Sequence, residues 1–357
     1  MVGSAIAEDL SENYEVTVCD FNDHILNKLA SELSVNTVKK NLAEKSQLKD
    51  AVKDADLVVG AVPGFMGFET LKTVIEEGKD VVDISFFDED PFKLDELARK
   101  NNVTAIVDCG IAPGLSNIIL GYYNEKMKID SFECYVGGLP LERIHPYEYK
   151  APFSPVDVIE EYTRPARIMK KGKVIIKEAL SEPELIETEA GTLEAFNTDG
   201  LRSLLKTMKI PDMKEKTLRY PGHISIMKIL RDTGFFNKDK IEIDGKLISP
   251  LEVSSRLLFP LWKLEENERE FTILILKISG EGKEIEYSLY DEFDKKTNKS
   301  SMARTTGYTC SGVVNLVLNG DYSINGISPP EFVGRDQNCF DKILSHLNER
   351  RVKVKKK

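Results

Sequence analysis

The first 128 residues alternate short apolar runs with amphipathic segments, and that rhythm restricts the fold more than any other feature of the chain. EVTVCD, DLVVGAVP, DVVDISFF and TAIVDCG read as strands, while NDHILNKLASEL, KSQLKDAVKD, GFMGFETLKTVIEEG, PFKLDELARKN and LSNIILGYYNEK carry apolar residues at helical spacing. A helix between successive strands implies parallel crossovers, because a tight turn returns the chain antiparallel. The fold class that follows is α/β, with a Rossmann-type doubly wound parallel sheet.

After residue 129 the rhythm changes. SFECYVGGLP, GKVIIKEAL, TLEAFNT, EKTLRYPGH, REFTILILKISG and KEIEYSLYDEF arrive as strands with few crossover helices, which predicts an α+β mixed-sheet domain over 129–301. From 302 the helical segments SGVVNLVLNG and CFDKILSHLNERR return. Residues 302–349 are therefore expected to rejoin 1–128 as one discontinuous dinucleotide-binding domain, and 350–357 to form a basic, solvated tail.

Bulk properties exclude several function classes. A formal charge of −10 opposes general nucleic-acid binding, which needs a basic face to replace phosphate counterions. No run approaches a membrane span, and no basic stretch followed by an apolar core marks a secretory signal. Cys19, Cys109, Cys134, Cys310 and Cys339 are odd in number and widely spaced, as reduced thiols of a cytoplasmic protein would be. His24, His145, His223 and His346 show no metal-ligand spacing, so no metal is expected.

The opening MVGSAIAEDLSENYEVTVCD has the form of the second half of a dinucleotide-binding unit. Gly3 fits the third glycine of G-x-G-x-x-G, where a helix packs closely on the sheet with its N-terminus at the phosphates. Asp20 ends the next strand, where a carboxylate accepts hydrogen bonds from the adenine ribose and repels a 2′-phosphate; NAD is expected over NADP. Asp20 also suits an ordinary surface turn. By this reading one strand and two glycines should precede Met1, so the written start is expected to fall about ten residues late. The sheet should lack its central strand. A second ligand surface is expected at DCGIAPGLSN, residues 108–117, a strand-to-helix turn at the carboxyl edge of the sheet.

Taken in order, DCGIAPGLSN, YVGGLP, YEYKAPFSPVDVIEEYTRPA, TLRYPGH and MARTTGYTCSG resemble the saccharopine dehydrogenase / lysine 6-dehydrogenase superfamily, and GIAPG with RYPGH resembles its lysine 6-dehydrogenases. The resemblance implies a Rossmann domain joined to a mixed-sheet domain for substrate binding and homodimerisation. It also implies hydride transfer between nicotinamide and a carbon bearing an amine nitrogen. Ala61, Val62 and Pro63 would lie along the cofactor, and Asp108, Cys109, Gly110, Ala112, Pro113 and Gly114 would approach the nicotinamide. Saccharopine-reductase-like members carry an acidic residue where this chain has Ala112 and a cysteine where it has Val136.

Amine oxidation needs the nitrogen deprotonated before hydride leaves, and a base titrating near neutrality suits that step. His223, after the RYPG turn, is the catalytic candidate; its position equally suits a structural histidine at a helix start. Arg219 matches a family substrate contact and would fork onto a carboxylate. Arg304 and Arg164 are weaker candidates of the same kind. Tyr147, Tyr149 and Lys150 could line the pocket or simply form a loop, and Thr305 and Thr306 could bind a carboxylate or cap a helix. The expected reaction is oxidative deamination of L-lysine or a similar amino acid. Saccharopine- or carboxynorspermidine-type reduction of an amino-acid or polyamine-like substrate is the enzyme alternative, and a dinucleotide-binding dimerisation module without turnover the other.

Overall fold

The computed structural model describes residues 2–151, 155–265 and 268–357. Met1 and the APFSP part of the family-like segment, at Pro152, Phe153 and Ser154, fall outside them. Two compact units are present, Met1–Lys126 with Ala303–Val352 and Met127–Met302 with Lys353–Lys357.

The first unit opens with α1 (Val2–Ser11), β1 (Thr17–Asp20), α2 (Asp23–Glu32), β2 (Asn36–Lys39), α3 (Lys45–Val52) and β3 (Leu57–Gly60). It continues through α4 (Gly64–Glu76), β4 (Asp80–Asp83), α5 (Asp95–Lys100), β5 (Thr104–Ile106) and α6 (Leu115–Asn124). Among the described residues every strand-to-strand ladder in this unit is parallel, as the crossover helices require. Leu71, Val74 and Ile75 of α4 pack on Val81 of β4 and Ala105 of β5, with Leu48 and Val52 of α3 beside them.

The sheet is split. One part is β1–β2; the other runs β3–β4–β5 and ends on a strand from later in the chain. Among the described residues β1 pairs only with β2, and β3 only with β4.

The second unit holds β6 (Ser131–Pro140), α7 (Pro155–Thr163), β7 (Ala166–Lys170), β8 (Lys173–Lys177), β9 (Glu184–Thr188), β10 (Gly191–Asn197) and α8 (Leu204–Thr207). There follow β11 (Asp212–Arg219), α9 (His223–Thr233), β12 (Ile241–Ile243), β13 (Lys246–Ile248), α10 (Pro250–Trp262), β14 (Glu270–Gly280) and β15 (Lys283–Glu292). The main sheet is mixed, because β6 and β11 pair in parallel while β14 pairs antiparallel with β6 and β15. The run Phe271 to Leu276 is buried at every residue, so this part of β14 is covered on both faces. Lys171-Gly172, Asp244-Gly245 and Glu281-Gly282 each place two residues at positive φ, between 50° and 75°. Such pairs make the two-residue turns whose twist matches the strands they join.

The chain then returns to the first unit through α11 (Ser301–Leu318), β16 (Gly326–Ser328), α12 (Pro330–Gly334) and α13 (Gln337–Glu349). Here β16 closes the parallel sheet beside β5. Thr305 and Thr306 lie inside α11 and not at a helix entry, because MARTTG and SGVVNLVLNG form one continuous helix. The basic end is not a free tail. Val354–Lys356 form β17, whose Val354 is paired with Leu289 of β15, so 353–357 are part of the second unit.

Candidate functional site

In the first unit the residues expected around a dinucleotide fall on the carboxyl ends of the parallel strands. Ala61, Val62 and Pro63 join β3 to α4, and Gly3 of α1 faces Ala61, whose Cβ is 3.6 Å from the point a Gly3 Cβ would occupy. Pro63 is the N-cap of α4 and brings no side-chain acceptor, so the first-turn amides of that helix are uncapped by a side chain. The turn Asp108–Gly114 folds on itself. Cys109 N–H donates to Asp83 O at 2.9 Å, Gly110 N–H to Pro113 O at 3.1 Å and Leu115 N–H to Gly110 O at 2.9 Å. Gly114 sits at φ 137°, a conformation that only glycine adopts freely. Asn117 closes the start of α6: its Oδ1 accepts from Gly114 N–H at 3.4 Å and Ser116 Oγ at 2.9 Å, while its Nδ2 donates to Glu331 at 2.9 Å.

At the end of β1 Asp20 Oδ1 accepts the Asn22 N–H at 2.8 Å, and Asn22 Oδ1 accepts from His24 N–H at 3.0 Å and Ile25 N–H at 3.4 Å. The two side chains thus build the turn into α2. Lys39 lies opposite Asp20 in the β1–β2 register, and Lys40 N–H donates to Asp20 O at 3.0 Å.

The second unit brings Tyr147, Tyr149, Glu161, Tyr162, Arg219, His223 and Trp262 together. Helix α7 supplies Glu161 and Tyr162, β11 ends at Arg219, α9 begins at His223 and α10 ends at Trp262. Arg219 is 2% exposed. Its guanidinium donates to Glu161 at 2.6 Å, Tyr162 Oη at 3.2 Å and Leu218 O at 2.9 Å, and lies 4.4 Å from the Tyr149 ring centroid. His223 Nε2 is 2.9 Å from Tyr162 Oη, and Nδ1 is 2.8 Å from Tyr147 O.

Electrostatics follow from this enclosure. Burial, then the Arg219 charge, push His223 down to about 3, with the Tyr147 carbonyl opposing weakly. The imidazole is neutral at pH 7, and the near-neutral titration expected of it is absent in this arrangement. Burial raises the Tyr162 phenol to about 12 and drives Tyr149 well up, so both remain hydroxyls. Glu161 is also held above the ordinary carboxylate range by burial, although Arg219 pulls the other way.

Not every candidate joins this cluster. Lys150 Nζ reaches Lys263 O at 3.2 Å and Glu268 at 3.5 Å. Arg304 and Thr305 are buried in the first unit, where Arg304 donates to Arg350 O at 3.3 Å and Thr305 O accepts from Thr309 at 2.8 Å. Sequence reasoning missed Glu161, Tyr162 and Trp262. Val158, Ile159 and Tyr162 share the buried stripe of α7, so Tyr162 was legible only as core, and Glu161 as a solvated neighbour. Among the described residues no group of His, Cys, Asp and Glu could hold a metal ion, and no helix is long and apolar enough to cross a membrane.

Comparison with known proteins gives two family matches: the saccharopine dehydrogenase NADP binding domain over residues 1–106 and the saccharopine dehydrogenase C-terminal domain over 110–352. An alpha-aminoadipic semialdehyde synthase of Arabidopsis thaliana is 27% identical over 60% of this chain and 22% of its own length. The saccharopine dehydrogenase [NADP(+), L-glutamate-forming] of Saccharomyces cerevisiae is 26% identical over 70% of this chain and 59% of its own. The chain thus spans between about a fifth and three fifths of these relatives. The solved apo saccharopine dehydrogenase (L-Glu forming) of Saccharomyces cerevisiae shares the fold, with TM-score 0.78 and 19% identity over 99% of this chain and 97% of that one.

These matches correct the expected preference for NAD. The NADP-binding family model and the NADP(+)-dependent relative point to NADP. Physically, the carboxylate on which the expectation rested is engaged in closing a turn, and two lysines stand beside it.

Proposed function

The chain belongs to the saccharopine dehydrogenase family, and from that premise we propose an NADP-dependent oxidoreductase that interconverts amine and imine on an amino-acid substrate. The observation that carries this reading is the Arg219 guanidinium, buried with Tyr149, Tyr162 and His223 at the end of β11. A cation held that far from water, with a planar fork of donors, suits a carboxylate better than any neutral group.

NADP fits the first unit. The first-turn amides of α4, which no side chain caps, the tight glycine-containing turn Asp108–Gly114, and Gly3 beside Ala61 suit phosphates and a ring laid along the strand ends. Lys39 and Lys40 carry the positive charge that a 2′-phosphate needs; their present partners, Asp23 and Asp50, are exposed carboxylates that contribute little and can be exchanged. When bound, NADP+ accepts hydride at its nicotinamide.

This chain's residues then have three tasks. Arg219 orients the substrate by its carboxylate. Tyr162 and the Tyr147 carbonyl fix the His223 ring in one tautomer, with a lone pair at Nε2. A carboxylate at Arg219 cancels part of the charge that depresses His223, which makes Nε2 a better proton acceptor once substrate is present. Loss of a proton from the amine nitrogen frees its lone pair, the adjacent carbon gives up hydride, and an imine results; water can then release a carbonyl product.

Ala112 and Val136 stand where saccharopine-reductase-like members carry an acidic residue and a cysteine, which supports a primary amine such as that of L-lysine. The relatives support a secondary amine of the saccharopine type instead. NADPH formation from NADP+ with L-lysine and with L-saccharopine, followed by absorbance, decides between them. Absence of turnover with either, and across a panel of amino acids, sinks the reading.

A further inference from the structure

Glu161 and Arg219 form an ion pair whose members are unequally placed. Arg219 is 2% exposed at its side chain and Glu161 23%, with 2.6 Å between Oε2 and the guanidinium NH2. Among the described residues the other hydrogen-bond partners of the guanidinium are neutral. Nε donates to Tyr162 Oη at 3.2 Å, NH1 to Leu218 O at 2.9 Å, and NH2 is 3.5 Å from Tyr149 Oη. The buried cation is therefore held in a fixed aromatic wall, while its anion comes from the side that water reaches. Of the two, Glu161 is the more exposed.

Charge balance gives this asymmetry a meaning. A ligand carboxylate arriving at Arg219 must share the guanidinium with Glu161, which places two anions on one buried cation. Two like charges at one low-dielectric site are costly unless a second cation enters with them. An α-amino acid brings that cation on the carbon next to its carboxylate. A keto acid, an Nα-acylated amino acid or an ω-amino acid brings none at that position. Trp262 adds an independent sign that the cluster is built for a polar guest. Its ring is fully buried, 5.7 Å from Tyr149 and 6.2 Å from Tyr162 between centroids, yet among the described residues its Nε1–H has no acceptor. A buried donor left without a partner costs free energy that a bound acceptor would recover.

We propose that Arg219 and Glu161 together read a zwitterionic α-amino-acid head group, with the ligand carboxylate on the Arg219 guanidinium and the ligand α-ammonium on the Glu161 carboxylate. Glu161 is then the residue that separates α-amino acids from carboxylates without a neighbouring ammonium. The proposal rests on the reading of an amino-acid substrate given above, and adds which part of the substrate is recognised and by what.

Calorimetric titration of the full chain with NADP+ present tests it, with L-lysine, L-saccharopine, Nα-acetyl-L-lysine and 6-aminohexanoate as probes. The wild type should bind L-lysine or L-saccharopine at least about tenfold more tightly than the last two, the factor expected for one charge-assisted contact. Glu161→Gln should bring that ratio below about threefold by weakening the α-amino acids alone, and Glu161→Asp, which keeps the charge, should restore most of it. Thermal unfolding reports whether the variants are folded, and Glu161→Ala, for which the same fall in the ratio is expected, carries the test if Glu161→Gln is not. An unchanged ratio in a folded Glu161→Gln overturns the role of Glu161 while leaving the amino-acid reading intact. A wild type that binds none of the probes overturns both.

Discussion

Tyr162 Oη lies 2.9 Å from Nε2 of His223 while the opposite ring nitrogen, Nδ1, lies 2.8 Å from the carbonyl oxygen of Tyr147. A carbonyl only accepts, so Nδ1 carries the proton and Nε2 accepts from the phenol. Both neighbours hold the neutral ring, and neither favours a second proton at Nε2.

His223 should therefore fail to titrate between pH 5 and 8. Its folded pKa of about 3 lies below the ordinary 6.5, so between those values the unfolded chain binds a proton that the folded one refuses. Stability rises with pH across that window by up to about 1.4 kcal/mol per unit and is flat above 6.5. Histidine ring resonances followed against pH give the first result, and urea midpoints against pH the second. In His223→Gln the slope assigned to this ring should vanish; a slope that survives places the proton uptake elsewhere.

Tyr162→Phe removes one hydroxyl that serves two partners. It leaves Nε2 of His223 without a donor and Nε of Arg219 without an acceptor, both in a buried cluster. About 2 to 3 kcal/mol of stability should be lost, more than a single neutral hydrogen bond contributes, because two buried groups are stranded by one change. Urea unfolding measures it. A loss below about 0.5 kcal/mol would mean that water replaces the phenol.

Much of this was legible in the sequence, and the reasons for success differ from those for failure. Crossover helices force parallel strands, so the parallel pairing of the first unit could be read from rhythm alone. The hairpins were less visible. Asp244-Gly245 is a two-residue turn signal, yet β12 and β13 are three residues each and mostly exposed, too short to show alternation. Val354 in the basic end carried no signal of pairing, since its partner Leu289 is 65 residues away. The same limit hid Glu161: its solvated look in α7 is local, and the cation that gives it meaning arrives from β11.

A second buried charge cluster lies in the first unit. Asp9 of α1 accepts from Ser311 of α11 and from Arg350, and its Oδ2 is 3.3 Å from Nε2 of His346 in α13. Burial opposes the charged carboxylate, but hydrogen bonds from His346, Ser311 and Arg350 outweigh it and hold Asp9 below the usual range. A depressed carboxylate adds stability that is complete above its unfolded pKa, about 3.9, and is lost as pH falls through the folded value. Asp9→Asn should cost about 3 kcal/mol at pH 7, the range for stranding one member of a buried pair, and the cost should shrink toward pH 3. Parallel urea titrations at the two pH values check it, and equal costs at both would show that Asp9 acts through shape and not charge.

The last prediction concerns the ends of β1 and β2 in the first unit, where we place the adenine ribose. Lys39 stands opposite Asp20 in the register and Lys40 follows it, while Asp20 Oδ1 is occupied by the Asn22 N–H. If these ammonium groups meet the 2′-phosphate, Lys39→Ala with Lys40→Ala should weaken NADPH about tenfold or more, as losing charge-assisted contacts does, and leave NADH within about twofold. Added salt should shrink the difference, because both lysines are partly exposed and screened. Asp20→Ala supplies the counter-test. It should loosen the turn into α2 without exchanging the preference for NADPH. A switch toward still tighter NADPH with no loss of stability would instead give Asp20 the repulsive role that its place at the end of β1 suggests. Fluorescence titration with both nucleotides separates the two outcomes in one experiment.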